Sequence, residues 1–385
     1  MPDEPMSGSE PMRAPSGGDA PTPARRRKRR ARRGRGSSDS QSGGAPSGRS
    51  RGGRAFAAID LGTNNCRLLI AREQSEGFRI IDSYSKVVRL GHNLAASGRL
   101  DDQSMDATID ALKVCAAKMK SKRVHRWRAI ATEACRRASN GEDFIARVKE
   151  ETGIALEIIS PRVEARLAVM GCVNLVDPTK DVALVVDIGG GSTELSWVDI
   201  RKLRAGEDHK VHRPPISAWA SLPLGVATLS DLVPEREDRA AWYAEMKQAV
   251  RDAIADQGCS TRFTRTFEDG KGHLIGTSGT ITTLAGVHLK LPYYQRSKVD
   301  GLWFRQDDCV RVARDMASRD VAGRASEPVI GTDRAGLLVA GCAITDVLCE
   351  MWPSKMIRVA DRGLREGMLI GLIGGGREPQ AEAAE

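Results

Sequence analysis

The chain has 385 residues, 41% of them hydrophobic, and a formal net charge of +9, length enough for a real core and for about two domains. No stretch approaches the roughly 18–20 apolar residues that span a bilayer, and the polar, Pro/Gly/Ser-rich start has no apolar core of a secretory signal. The eight cysteines (Cys66, Cys115, Cys135, Cys172, Cys259, Cys309, Cys342 and Cys349) show neither CxxC pairs nor zinc spacing, which suits buried thiols in a reducing cytoplasm.

The charge is unevenly spread. Residues 1–54 hold 13 Lys/Arg against 5 Asp/Glu, and the remainder 46 against 45, so the globular part is nearly neutral. With little apolar content, residues 1–54 are expected to form a disordered tail. The dense block Arg25–Arg33 would attract polyanions such as RNA or polyphosphate, but has no interleaved aromatics to stack on bases. A solubilising tail without a fixed partner fits the same composition.

Order begins with a strand over Ala55–Ile59, a turn over Asp60–Asn65 and a returning strand over Cys66–Ala71. Met105, Ile109, Leu112, Ala116 and Met119 recur at helical spacing behind the acidic cap Asp101–Asp102. A strand over Trp127–Ala131 leads into Thr132–Arg136, and a helix through Phe144, Ile145 and Val148 stops at Gly153. A strand over Leu156–Ile159 follows. Ser160 and Pro161 then cap and open a helix towards Val176, with Glu164 and Arg166 near its start.

The apolar run Val182–Val186 reads as a buried strand and delivers Asp187 to Leu195, D-I-G-G-G-S-T-E-L. Three glycines let the backbone turn sharply and approach a ligand. Successive N–H groups in such a turn form a concave anion site, with the Ser192 and Thr193 hydroxyls as further donors. Asp187 and Glu194 flank the turn and suit Mg²⁺, which takes one or two carboxylates and keeps several waters. A plain glycine-rich hairpin has the same local pattern. Ile59-Asp-Leu-Gly62 follows the same plan, its aspartate 127 residues earlier, as in a fold of two similar halves.

Further on, Arg201–Pro215 is a polar connector, where His209 and His212 suit an exposed loop better than a metal site. Ser221–Gly225 leads into helical material up to Gln257. His273–Thr283 repeats the strand–glycine–hydroxyl theme, with Gly279 and Thr280 opening a helix whose N-terminus can face an anion. An apolar helix over Asp333–Glu350, a strand over Met356–Ala360 and a closing helix over Leu364–Ile373 complete an α/β pattern. Neither a Walker A nor a Rossmann glycine pattern is present.

Taken together, Ile59–Asn64, Val163-Glu-Ala-Arg166, Val186–Leu195, Ser221–Gly225, Ser278-Gly-Thr280 and Gly363-Leu-Arg-Glu-Gly367 resemble the exopolyphosphatase / guanosine pentaphosphate phosphatase (Ppx/GppA) family, in its short form, over roughly Ala55 to Gly374. The resemblance implies a two-domain actin–hexokinase–Hsp70-like (ribonuclease H-like) α/β fold with a phosphate-binding cleft between domains. The expected boundaries are 55–163, with the closing helix 364–375 packing back on it, 164–363, and a disordered end over 376–385. Glu164 matches the family's catalytic glutamate, although Val163 replaces the glutamate that precedes it there. Asp187 and Glu194 match its metal-binding acids, for Mg²⁺ or Mn²⁺. Phosphate contacts would fall on Asp60, Thr63, Asn64, Arg89, Gly189, Gly190, Gly191, Ser192 and Thr193, and on Ser278, Gly279 and Thr280.

The implied activity is Mg²⁺-assisted hydrolysis of the terminal phosphoanhydride of inorganic polyphosphate, with in-line water activated by Glu164. Hydrolysis of guanosine pentaphosphate is the alternative. A kinase of the same fold would need an acceptor pocket and an aspartate base, and a non-catalytic RNA-associated scaffold would not need Glu164 or Asp187. The expected setting is cytoplasmic, without a membrane; a homodimer is left open.

Overall fold

The structure is a computed structural model that describes residues 53–75, 77–205 and 213–374. The Arg-rich tail through residue 52, the His209/His212 pair and the 376–385 end lie outside the described residues.

The first half opens with a three-strand antiparallel meander, β1 (Ala55–Leu61), β2 (Asn65–Glu73) and β3 (Phe78–Val87). Then come α1 (Leu94–Ser97), α2 (Asp102–Ser121), β4 (Arg126–Ala131), α3 (Glu133–Arg137), α4 (Gly141–Thr152) and β5 (Glu157–Ile158). The sheet order is β3-β2-β1-β4-β5, with β4 parallel to β1 and β5 parallel to β4. The helix ends follow local chemistry: the Asp101 side chain accepts from the Ser104 N–H at the start of α2, and α4 stops at Gly153, in the left-handed region with φ 72°.

Helix α5 (Pro161–Cys172), capped by Ser160, and a 3-10 turn (Val173–Leu175) lead to the second half. This contains β6 (Val182–Ile188), β7 (Thr193–Asp199), α6 (Ile200–Arg204), β8 (Ile216–Leu222), α7 (Val226–Leu232), α8 (Arg239–Asp256), α9 (Thr264–Glu268) and β9 (Gly272–Gly276). It continues through α10 (Gly279–His288), α11 (Arg296–Val299), β10 (Trp303–Arg305), α12 (Gln306–Ser318) and α13 (Val321–Ala325). The last elements are α14 (Thr332–Ala335), α15 (Leu338–Met351), β11 (Met356–Val359) and α16 (Leu364–Ile373). Its sheet order is β10-β11-β9-β6-β7-β8. Leaving aside the short antiparallel β10, β8-β7-β6-β9-β11 repeats the first sheet strand for strand, including the parallel β6–β9 and β9–β11 pairs. The chain thus has the duplicated α/β architecture of the actin–hexokinase–Hsp70-like fold.

Several elements differ from the sequence reading. The helix expected over Asp333–Glu350 is two, α14 and α15, with the poor helix former Gly336 at the break. The helix expected to reach Val176 stops at Cys172, and the strand expected over Leu156–Ile159 pairs over only two residues. Strands β3, β8 and β10 have no counterpart among the elements read from the sequence.

Helix α5 joins the two cores. Leu167 and Met170 pack with β1, β2, β4 and α16, whereas Val169 and Cys172 pack with the second sheet. Two glycines allow α5 and α16 to touch: a Cβ on Gly171 would overlap the Gly363 carbonyl, and one on Gly367 the Leu167 carbonyl. All eight cysteines are buried and unbridged. Among the described residues no helix is long and apolar enough to cross a membrane.

Candidate active site

Asp60 and Asp187 occupy the same place, the sixth residue of the seven-residue strands β1 and β6. Each lies opposite a charged residue of the returning strand, Asp60 facing Arg67 and Asp187 facing Glu194. Directly opposed residues of an antiparallel pair project to the same face. The first half therefore offers an acid–base pair at this point, and the second half two acids.

The loops after these aspartates are held by one device used twice. The Asn64 carbonyl accepts from the N–H groups of Val88 (2.9 Å) and Arg89 (3.1 Å), and the Thr63 carbonyl from Gly91 (2.9 Å). The Gly189 carbonyl accepts from Val226 (2.9 Å), and the Gly190 carbonyl from Ala227 (2.8 Å). With their carbonyls tied back to the segment after the third strand of each half, the loops leave N–H groups as the polar groups available to an anion. Gly225 permits this in the second half, since a Cβ there would fall 2.6 Å from the Gly189 and Gly190 carbonyl oxygens. The two loops also touch: a Cβ on Gly191 would sit 2.8 Å from Thr63 Oγ1, and one on Gly190 3.1 Å from Thr63 Cβ.

The hydroxyls are more committed than the sequence suggests. Ser192 donates to Glu194 Oε1 (2.7 Å), as does Ser221 (3.1 Å), and the buried Thr193 hydroxyl donates to the Leu224 carbonyl (2.7 Å). In the third glycine segment, Ser278 accepts from the Ile281 N–H (3.2 Å) and so caps α10. The N–H groups of Gly279 and Thr280 have no acceptor within the helix, and the space beside Gly279 is open, while Thr280 is buried against Gly341.

Four carboxyl groups influence one another here. Burial pushes Glu164 well above the ordinary glutamate value, with repulsion from Glu194, Asp187 and Asp60 adding to it and Arg136 opposing it. Burial and then repulsion from Asp187 raise Glu194 to about 7, against hydrogen bonds from Ser192 and Ser221. Asp187 and Asp60 are raised by burial, and in both cases Arg67 and Arg365 oppose the rise.

Glu164 lies in the first turn of α5 and is only 8% exposed. Its Oε2 accepts from Arg136 Nη1 at 3.4 Å. The same guanidinium donates to the Ile159 carbonyl and to Glu133 Oε2, both at 2.6 Å. Glu133 itself borders the glycine loop, its Cγ lying 2.9 Å from where a Cβ on Gly191 would be.

Arg89 takes the left-handed region with φ 50°, uncommon for a residue other than glycine. It helps line a cavity of about 650 Å³ with Asn65 and Lys86 of the first half and Gly331, Asp333 and Arg334 of the second. None of the four carboxylates lines this cavity, which runs beside the first loop.

No group of three or more His, Cys, Asp or Glu side chains able to cage a metal occurs among the described residues. The donor set fits Mg²⁺ nevertheless, because that ion is held by one or two carboxylates and completes its shell with water and phosphate oxygens. Asp187 and Glu194, opposed across one hairpin and mutually repelling, would hold it.

Sequence reasoning missed Arg67, Arg136, Arg365, Glu133 and Arg334. The internal repeat could have found Arg67, seven residues after Asp60 as Glu194 is after Asp187. Arg136 carried no such signal, since only the fold brings it to Glu164.

A duplicated α/β fold with matched loops at the seam of its halves defines a member of the actin–hexokinase–Hsp70-like class. Within it, the chain belongs to the Ppx/GppA phosphatase family, whose model matches residues 69–374. The structure is similar to that of the Ppx/GppA family member of Aquifex aeolicus, at 27% identity and a TM-score of 0.67, covering 84% of this chain and 99% of that one. It is similar to an exopolyphosphatase-like protein at 25% identity and a TM-score of 0.71, covering 83% and 97%. An exopolyphosphatase from Cytophaga hutchinsonii shares the fold at 24% identity and a TM-score of 0.71, covering 84% and 99%.

Proposed function

We propose that this phosphatase is an exopolyphosphatase, removing the terminal phosphate of inorganic polyphosphate. What carries the choice of substrate is the cavity beside the first loop. Its lining includes Lys86, Arg89 and Arg334 and contains no aromatic side chain, which suits a bare phosphate chain better than a nucleobase. The Arg-rich segment upstream would raise the local concentration of a long polyanion.

In this reading the terminal phosphoryl group lies between the loops after Asp60 and Asp187, bound by their N–H groups and faced by Arg67. Water oxygen bonds to the terminal phosphorus as the bridging P–O bond opposite it breaks. The water proton passes to Glu164, and the bridging oxygen leaves on the shortened chain. A carboxylate made more basic by burial and kept oriented by Arg136 suits this task. Mg²⁺ held by Asp187 and Glu194 would neutralise charge on the phosphoryl oxygens.

The test compares kcat/KM for long-chain polyphosphate and guanosine pentaphosphate at one ionic strength. A higher value for polyphosphate is expected. A clear preference for guanosine pentaphosphate would overturn the choice of substrate and leave the catalytic assignment standing.

A further inference from the structure

Arg324 lies in α13 and is fully buried. A guanidinium taken out of water needs its donors matched and a charge opposite it. Its Nε donates to the Ala335 carbonyl at 2.8 Å, and its Nη1 to the Arg319 carbonyl at 2.7 Å. Nη2 donates to both carboxylate oxygens of Glu235, at 3.1 and 3.3 Å. Its Cζ lies 5.9 Å from the ring centroid of Trp242, which is buried in the core of the second half.

These bonds act on one stretch of chain. Arg319 follows α12 and Ala335 is the last residue of α14, so Arg324 grips residues 319–335 at both ends. Glu235 and Trp242, before and within α8, tie that stretch to the core. The four-residue α14 needs such an anchor, because a single helical turn is unstable by itself. Between the gripped ends stand Gly331, Asp333 and Arg334, the residues by which the second half lines the cavity beside the first loop. Arg334 is exposed, and its side chain has no ion pair or hydrogen bond among the described residues. The residue after it is the one whose carbonyl Arg324 holds.

We propose that Arg324 is a positioning residue for substrate. By fixing α14 it keeps Arg334 in the cavity with Lys86 and Arg89, so that cations from both halves meet the phosphate chain behind its terminal group. This rests on the reading of that cavity as the path of the chain. An arginine on a loose segment loses backbone and side-chain freedom when it binds. Arg324 removes the backbone part of that cost in advance. Its loss should weaken binding of the chain more than it slows the chemistry, since none of the four carboxylates lines this cavity.

The experiment measures kcat and KM for phosphate release from short-chain polyphosphate by the full-length protein and by R334A, R324K, E235Q and R324K/R334A. Tm is recorded for each. R334A should raise KM about tenfold, the low end for a hydrogen bond to a charged group, with kcat changed less. R324K should raise KM nearly as far, because an ammonium lacks the planar fork that reaches three acceptors. In the double variant R324K should add little to R334A, as expected of residues that act as a unit. E235Q keeps Arg324 and removes the charge facing it, so a smaller rise in KM should appear there even if R324K folds poorly. A raised KM in R334A beside an unchanged KM in R324K and E235Q would overturn the proposal and leave the path of the chain standing. So would effects of R324K and R334A that multiply, or a fall in Tm alone, which would make Arg324 merely structural. An unchanged KM in R334A would remove the path of the chain and the proposal together.

Discussion

Arg136 reaches Glu164 at 3.4 Å while making its two shorter bonds, both 2.6 Å, to Glu133 and to the Ile159 carbonyl. The guanidinium is thus fixed by groups other than the one it orients. A tight ion pair would hold Glu164 as a weak base. A longer contact from an arginine already matched by Glu133 fixes direction with less loss of basicity.

Removing this arginine should therefore affect turnover more than substrate affinity. Arg136→Gln is expected to lower kcat roughly 10- to 100-fold, part of the range for general-base catalysis, with KM changed less. In a Glu164→Gln background the same substitution should add little, because residues that act as a unit are non-additive. Fully additive losses in the double variant would detach Arg136 from Glu164.

The glycine loop rests on Gly225. Gly225→Ala places a methyl group 2.6 Å from two carbonyl oxygens of the loop, and overpacking of this kind costs about 1–3 kcal/mol. Urea unfolding should show that loss, together with a fall in kcat/KM. Gly279→Ala, where the added carbon meets open space, should leave the unfolding midpoint nearly unchanged. Equal stability of the two variants would contradict the role given to Gly225.

The carboxylate cluster sets a pH dependence. Glu194 is raised from the ordinary 4.5 to about 7, so between those values the folded chain holds a proton that the unfolded chain releases. Stability from this group is fully present below about pH 4.5 and is lost as pH rises through about 7, on the order of 3 kcal/mol in all. Asp187, Asp60 and Glu164 shift in the same direction. In the presence of EDTA, Tm should fall from pH 5 to pH 8. Adding Mg²⁺ at pH 8 should restore much of the loss, and Glu194→Gln should flatten the profile. A Tm that rises with pH in EDTA would contradict the shifts.

The parts of the fold legible in the sequence were those that are buried or turn sharply. Strands β1 and β6 are apolar runs ending at an aspartate and a glycine, and Ser160 with Pro161 marks the start of α5. Strands β3 and β8 lack that signal. In β3 the sequence Phe-Arg-Ile-Ile-Asp-Ser-Tyr-Ser-Lys-Val has no fully buried residue, and β8 is the other sheet's edge, with Trp219 exposed. The loops were visible because glycine and hydroxyl residues cluster locally. Arg136 was not, because its contact with Glu164 spans 28 residues and depends on how α3 meets α5.

Phosphate release from long-chain polyphosphate by the unaltered protein and by Glu164→Gln, with Mg²⁺ present, tests the proposed base most directly. The unaltered protein should release phosphate, and the variant should turn over on the order of 10²–10⁴ more slowly with KM within a few-fold. A Glu164→Gln variant that keeps the kcat of the unaltered protein would contradict the assignment of Glu164 as the base.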